Sequence, residues 1–331
     1  MRVVVAGAGI GGLTTALSLH AAGIDALVID SAASLLPLGV GINLMPHAVR
    51  ELTELGLGGK LAATGIATAE MVHFDRHGHR IWGFASGRNT GYRWPQYSIH
   101  RGELQMILLA AVRARLGPDA VRTGTAFSSF TGSPSGVRVR VRDRSTGRVS
   151  ALRADVLVGA DGPYSGVRAQ LHPGEPPPRW GGIMMWRGIT EGSPFLTGRT
   201  VAVAGTNAGR KFVAYPISAQ AQRRGRALLN WVAEVRLPTA AAAAGVADWN
   251  GGGGAVAFDQ AAYLDHGNPP VVWRADAESR ARPPWRARLS ACAVHATDRA
   301  VGRERSQHPS WGWGFPPPGQ GDPPFALYRA G

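Results

Sequence analysis

The sequence predicts an α/β protein whose first domain is built on a doubly wound parallel sheet. A short β-branched run from Arg2 to Ala6 enters a glycine-rich loop, and an apolar helical segment follows. A second short strand ends in Asp30, and a third buried run, Val156 to Val158, precedes an Asp-Gly pair. Strands that alternate with helices are typical of parallel sheets. From about Asn250 onward no periodicity is sustained, so we expect the C-terminal part to be irregular.

Composition excludes several classes of protein. The chain has 331 residues, of which 44% are apolar, so it is long enough to bury a core. Its single cysteine, Cys292, excludes a disulfide-stapled scaffold and a thiolate zinc site. No apolar run is long enough to cross a bilayer, and the glycines after the first strand argue against a signal peptide. We expect a cytoplasmic protein with no membrane partner.

The net charge of +14 raises the question of a nucleic-acid partner. Of the 36 basic residues only Lys60 and Lys211 are lysines, and the arginines are scattered along the chain. Abundant Ala, Gly and Pro indicate the codon usage of a GC-rich genome instead. We therefore expect no nucleic-acid partner, although a basic surface attracts anionic cofactors and substrates.

The loop Gly7-Ala8-Gly9-Ile10-Gly11-Gly12 fits the pattern G-x-G-x-x-G. Gly7 permits a tight turn, Gly9 lets the backbone approach a pyrophosphate, and Gly12 lets helix and strand pack closely. A helix is predicted from about Leu13 to Ala22, with Gly23 ending it. The first N–H groups of such a helix bind phosphates.

The second strand, Ala26 to Ile29, ends in Asp30. An acid at this place accepts hydrogen bonds from an adenosine ribose. It favours FAD or NAD over NADP, because a carboxylate repels a 2′-phosphate. The sequence therefore predicts a dinucleotide site; the alternative is a chance match in a glycine-rich chain.

A second motif follows the strand Val156 to Val158. Asp161-Gly162 is predicted to form a corner between strand and loop, and Ser165 to cap the next helix. Taken alone, an Asp-Gly pair indicates an ordinary turn.

Together, the two motifs resemble the single-component FAD-dependent aromatic monooxygenases of the para-hydroxybenzoate hydroxylase superfamily. Ile99 to Leu104 resembles that family's helix start, where an arginine, here Arg101, approaches FAD. Further segments are similar to monooxygenases of the group that acts on 5-methylphenazine-1-carboxylate: Pro37 to Asn43, Tyr97 to Ala110, Met185 to Gly188, Val213 to Ser218, Asn230 to Val232 and Ala247 to Asn250. The resemblance covers residues 1 to about 250.

This resemblance implies FAD as cofactor and NADH or NADPH as co-substrate. It implies that oxygen is delivered to an aromatic ring through a flavin hydroperoxide, so no catalytic side chain and no metal are expected. The cofactor-binding residues that it implies are Gly7, Gly9, Ile10, Gly11, Gly12, Asp30, Ser31, Arg101, Asp161, Gly162 and Asp322.

The resemblance also implies a smaller, sheet-based substrate domain inserted into the FAD-binding domain. We expect residues 1–70 and 98–172 to bind FAD and residues 71–97 and 173–250 to bind substrate. Trp186, Arg187 and Tyr215 are predicted to line the substrate site, with Arg187 pairing with a carboxylate. The alternative is that Trp186 and Tyr215 pack within the sheet and Arg187 lies on its surface.

Residues 251–331 depart from the family. They are rich in Pro, Gly and Arg, and only Trp311 to Gly314, Gly321-Asp322 and Tyr328 loosely resemble its third flavin segment. Two interpretations stay open: these residues form a flexible tail, or they were translated in a shifted reading frame. Because the family's glycine-rich loop and long helix are missing, we expect weak FAD binding. Two alternatives to a phenazine-carboxylate hydroxylase stay open: a hydroxylase of a salicylate-like or polyketide ring, and a truncated, inactive flavoprotein remnant.

Overall fold

The computed structural model describes residues 1–75, 77–176 and 181–236. Its helices are α1 (Ile10–Ala21), α2 (Pro46–Glu54), α3 (Gly58–Thr64), α4 (Arg101–Leu116), α5 (Gly166–Leu171) and α6 (Ala219–Arg223). Its strands are β1 (Arg2–Ala6), β2 (Asp25–Ile29), β3 (Gly41–Leu44), β4 (Ile66–Thr68), β5 (Glu70–Phe74), β6 (Arg80–Ala85), β7 (Gln96–His100), β8 (Val121–Arg122), β9 (Thr125–Ser133), β10 (Gly136–Asp143), β11 (Val149–Ala154), β12 (Val156–Gly159), β13 (Ile183–Gly192), β14 (Thr200–Gly205), β15 (Arg210–Pro216) and β16 (Ala227–Arg236). The C-terminal segment 251–331, with Asp322, lies outside the described residues. Within the described ranges, no helix is both long and apolar enough to span a membrane.

These residues form two compact units. The first unit contains residues 1–37 and 102–176, and the second contains residues 38–75, 77–101 and 181–236. The predicted functional division places residues 38–70 and 98–101 with the FAD-binding domain instead, and it stays a prediction. The α/β class is confirmed.

The first unit is built on a parallel sheet with the strand order β12-β1-β2-β8. Apart from Arg2, every residue of β1 is buried, as expected for a strand covered on both faces. Val4 and Ile29 pack on one face with Val139 and Val141 of β10. That face is thus covered by the antiparallel sheet β11-β10-β9, and Val167 of α5 joins the same cluster.

Helix α1 connects β1 to β2 and begins earlier than expected. It runs from Ile10, with Gly9 as N-cap, whereas the apolar pattern predicted a start near Leu13. The pattern misses the first turn because its glycines carry no apolar side chain. Leu13, Ala16 and Leu17 are fully buried on the side of α1 that meets the sheet.

The second unit contains a six-stranded sheet with the order β13-β16-β15-β14-β5-β6 and a small sheet, β3-β7-β4. Side chains alternate between the two faces of the larger sheet. One face, here called the tryptophan face, holds the buried Trp186, Trp231, Phe212 and Phe74. The other, the tyrosine face, is defined by the residues that alternate with these: Tyr215, Val213, Asn230, Val232, Arg187 and His73.

We predict that Gly12→Ala lowers the free energy of unfolding by more than about 3 kcal/mol. A Cβ at Gly12 would lie 1.8 Å from the carbonyl oxygen of Gly7, a backbone atom that cannot move aside without shifting the loop. Gly11→Ala is the control, since a Cβ there meets no described heavy atom within 4 Å. Alanine favours helix, so this control should leave stability unchanged or raise it by up to about 1 kcal/mol. Urea denaturation followed by circular dichroism measures both; equal effects would contradict the packing argument.

Candidate functional site

Three neighbouring strands of the first unit end at the same edge of the parallel sheet. The Gly7 N–H donates to the Ile29 carbonyl at 2.8 Å, and the Ala160 N–H donates to the Ala6 carbonyl at 2.7 Å. The central strand β1 connects through α1 to β2 on one side, while β12 flanks it on the other. The order of strands therefore reverses at β1, and ligands bind outside the carboxyl ends of parallel strands at such a point.

The glycines of the loop divide into two pairs. Gly7 has a φ of +104°, and a Cβ there would lie 2.2 Å from the Ala160 carbonyl oxygen. Gly7 and Gly12 are therefore required by backbone packing. An added Cβ at Gly9 or Gly11 meets no heavy atom of the described residues within 4 Å. These two positions leave open space at the N-terminus of α1, which is what a phosphate-binding loop requires.

Asp30 holds this loop in place through both carboxylate oxygens. Its Oδ2 accepts the Ala8 N–H at 2.7 Å, and its Oδ1 accepts the Ala32 N–H at 2.8 Å. The Ala8 peptide is fully buried, and its carbonyl accepts a hydrogen bond from Gln105 Nε2 at 2.8 Å. Because each carboxylate oxygen has two lone pairs, Asp30 keeps acceptor capacity for ribose hydroxyls. Ser31, which follows it, is exposed.

Asp161 lies after the third strand end and joins β12 to α5. Its Oδ2 accepts the N–H groups of Gly166 at 2.7 Å and Val167 at 3.2 Å. Its Oδ1 is buried and finds no hydrogen-bond partner among the described residues. The corner predicted here is present, with Gly162 at a φ of +86°, and Ser165 caps α5 by accepting the Arg168 N–H at 2.9 Å.

Arg101 is the first residue of α4 and is exposed. The backbone N–H of Arg101 donates a hydrogen bond to the Val40 carbonyl at 2.8 Å. Gln105 follows one turn later on the same helix. The role of Arg101 towards FAD stays a prediction.

The three predicted substrate residues lie in the second unit but do not share a face of its sheet. Trp186 pairs with Ala233 in the core of the tryptophan face. Arg187 pairs with Val232, and Tyr215 with Asn230, on the tyrosine face. The structure therefore brings Arg187 and Tyr215 onto one face, where Tyr215 is buried beside Val201 and Ile217, and places Trp186 on the opposite face.

Several side chains of the tyrosine face carry N–H groups that can donate hydrogen bonds. The Arg187 guanidinium is half-buried and lies 3.0 Å from Met185 Sδ. Lys211 Nζ pairs with Glu234 Oε2 at 2.8 Å on the same face. Burial lowers the pKa of His73, whose ring lies 5.5 Å from that of Trp82. Among the residues described, no cluster of His, Cys, Asp or Glu side chains is placed to hold a metal ion.

Sequence reasoning missed Gln105 and Asn230. Gln105 lies within Tyr97 to Ala110, and Asn230 begins Asn230 to Val232, two segments that the resemblance singled out as segments only. Nothing in the residue pattern indicates that an amide on α4 reaches the Ala8 carbonyl, since 97 positions separate them.

Residues 1–236 match the model of the FAD binding domain family. The chain belongs to this family. It is 51% identical over 235 residues to phenazine 1,6-dicarboxylic acid hydroxylase from Lysobacter antibioticus, which covers 70% of this chain and 58% of the relative. It is 33% identical to 3-amino-4-hydroxybenzoate 2-monooxygenase from Streptomyces cremeus, over 66% of this chain and 54% of that protein.

Solved structures agree with this assignment. A variant of HpxO from Klebsiella pneumoniae in complex with FAD superimposes with a TM-score of 0.65 and 27% identity, over 83% of this chain and 65% of that one. The matched part thus spans a little over half the length of the curated relatives. The resemblance to FAD-dependent aromatic monooxygenases is confirmed, and FAD is the cofactor of the family.

We predict that Gly9→Ala raises the dissociation constant of FAD about tenfold or more while stability is retained. The new methyl group would occupy the open space at the N-terminus of α1, where a pyrophosphate must approach the backbone. Quenching of flavin fluorescence on titration of the full chain measures the constant.

The matched control is Gly59→Ala, in α3 of the second unit, where a Cβ also meets no described atom within 4 Å. It should leave FAD binding unchanged. Equal affinity of the Gly9 variant and the wild type would place the pyrophosphate elsewhere. The wild-type titration also tests the weak FAD binding predicted from residues 251–331.

Proposed function

We propose that the chain acts as an FAD- and NAD(P)H-dependent monooxygenase that hydroxylates an aromatic acid of the phenazine-carboxylate type. The observation that carries the proposal is the 51% identity to phenazine 1,6-dicarboxylic acid hydroxylase over 235 residues. The family match over residues 1–236 includes the three strand ends of the first unit, and it also includes the tyrosine face of the second.

The first unit fits FAD. Gly9, Ile10 and Gly11 would present backbone N–H groups to the pyrophosphate, and Asp30 would accept ribose hydroxyls. The unpartnered Oδ1 of Asp161 favours a ligand with hydroxyl donors nearby, because a buried carboxylate oxygen without a donor costs about 1–3 kcal/mol. Gly162, Ser31 and Arg101 are further candidate contacts, and Asp322 is assigned by resemblance only.

The second unit supplies the candidate substrate surface. Arg187 is always protonated, so it suits a ring carboxylate, and the Tyr215 phenol adds a hydrogen-bonding group on the same face. Trp186 would contribute by filling the core behind Arg187.

Bound FAD supplies the redox chemistry that takes electrons from NADH or NADPH and activates oxygen for transfer to the ring. The protein side chains hold the ring ligand, orient it and exclude water. The Asp30 clamp on Ala8 keeps the phosphate loop in one conformation. Arg187 would fix which edge of the substrate is presented, since a guanidinium binds a carboxylate in a defined geometry.

A second candidate is hydroxylation of a smaller aromatic acid. The 33% identity to 3-amino-4-hydroxybenzoate 2-monooxygenase favours it, and Arg187 would serve a benzoate equally well. Oxidation of NADH and of NADPH by the full chain with FAD, in the presence of phenazine-1-carboxylate, phenazine-1,6-dicarboxylate or salicylate, separates the two. The proposal expects a phenazine carboxylate to accelerate oxidation most and to yield a hydroxylated product. Absence of any substrate-dependent oxidation in FAD-loaded protein would contradict both candidates.

We predict that Arg187→Gln raises the KM for phenazine-1-carboxylate about tenfold or more, because a charge-assisted hydrogen bond to the carboxylate is lost. The binding of neutral phenazine, which lacks the carboxylate, should change little. Arg140→Gln on β10 is the control, as this arginine is exposed in the first unit. An equal loss for phenazine and its carboxylate would show that Arg187 acts through packing and not through charge.

A further inference from the structure

Asn230 is a fully buried amide in the middle of the second unit. It lies on β16, which has neighbours on both sides, and its exposed fraction is 0%. The register pairs it with Tyr215 on β15 and with Ile189 on β13. Its side chain therefore belongs to the tyrosine face, beside the two residues proposed to bind the aromatic acid.

The orientation of this amide is fixed by one hydrogen bond. Asn230 Oδ1 accepts the N–H of Gly41 at 2.7 Å. A backbone N–H can only donate, so the oxygen and not the nitrogen of the amide must face Gly41. The two groups are packed tightly, because a Cβ on Gly41 would lie 2.7 Å from Asn230 Cβ.

The other end of the amide is left without an acceptor. Asn230 Nδ2 is buried and makes no hydrogen bond to any described residue. A buried donor without a partner is destabilising by about 1–3 kcal/mol. Holding Gly41 requires only an acceptor, which a serine or aspartate also supplies without adding two N–H donors. The contact with Gly41 thus explains the oxygen of Asn230 but not its nitrogen.

We propose that Asn230 Nδ2 donates a hydrogen bond to an acceptor atom of a planar ring ligand bound on the tyrosine face. The inference rests on the proposed function and extends it by a residue that binds the ligand directly. The acceptor is a ring carbonyl, ring nitrogen or carboxylate, a chemistry that the flavin and the aromatic acid share. Asn230 pairs with Tyr215, and Arg187 lies two residues from Ile189 along β13, so the three residues supply hydrogen-bonding groups on one face for an acceptor-rich ring.

Asn230→Asp tests the proposal, because it keeps the acceptor for Gly41 and the shape of the side chain but replaces the donor with a carboxylate oxygen. Asn230→Ser is the second variant, since it also retains an acceptor and avoids a buried charge if the aspartate folds poorly. Thr190→Val is the control. It removes the hydrogen bond that Trp231 Nε1 donates to Thr190 Oγ1 at 3.2 Å. Trp231 follows Asn230 in sequence but lies on the tryptophan face, so the control leaves the tyrosine face unchanged. Circular dichroism and thermal unfolding verify that each variant is folded.

Two titrations of the full chain distinguish the sources of the acceptor: FAD followed by flavin fluorescence, and phenazine-1-carboxylate followed by calorimetry. A rise of about tenfold or more in one dissociation constant for both Asn230 variants, but not for Thr190→Val, supports the proposal and names the ligand. Unchanged constants for both ligands in a folded Asn230 variant overturn it and leave Asn230 as an anchor for Gly41. Failure of the wild type to bind either ligand overturns the proposed function and this inference together.

Discussion

The structure of the first unit depends on close packing and hydrogen bonding around the backbone of Gly7 and Ala8. The Gly7 carbonyl touches Gly12, Gly7 itself touches Ala160, and Ala8 is held by Asp30 on one side and Gln105 on the other. These contacts connect β1, β2, β12, α1 and α4 through one buried turn of backbone. The loop is therefore fixed before any ligand binds, and preorganised N–H groups lose little entropy on binding an anion.

In the second unit, the corresponding constraint is that successive side chains of each strand point to opposite faces of the sheet. Strands β5, β13, β15 and β16 contribute large apolar residues to the tryptophan face, and these form the core on that side. The opposite face holds Arg187, Asn230 and Tyr215, and Tyr215 is buried there beside Val201 and Ile217. Trp186 and Arg187 are adjacent in sequence, yet Trp186 packs in the core of the tryptophan face while Arg187 lies on the tyrosine face. A single strand, β13, thus contributes to stability and to the candidate site at once.

Asp161 Oδ1 and Asn230 Nδ2 are buried polar atoms that make no hydrogen bond to any of the residues described. Their hydrogen-bonding roles are opposite. Asp161 Oδ1 is an acceptor in the first unit, and Asn230 Nδ2 is a donor in the second unit. A hydroxyl-bearing cofactor satisfies the acceptor, and a ring with carbonyl or carboxylate groups satisfies the donor. FAD carries hydroxyl groups, and an aromatic acid carries carboxylate groups. The ligands expected for a chain of this family therefore include both donors and acceptors.

The sequence by itself determined the parts that depend on local backbone geometry. The strand from Arg2 to Ala6, the glycine loop, Asp30 at the end of β2 and the Ser165 cap follow from short-range sterics and hydrogen bonding, and the structure contains all of them. Tertiary structure alone decided which side chains meet. It placed Tyr215 on the same face as Arg187, covered one face of the parallel sheet with β9–β11, and brought Gln105 to Ala8 and Asn230 to Gly41. Strand register and packing across more than ninety residues set these contacts, and no local pattern in the chain encodes them.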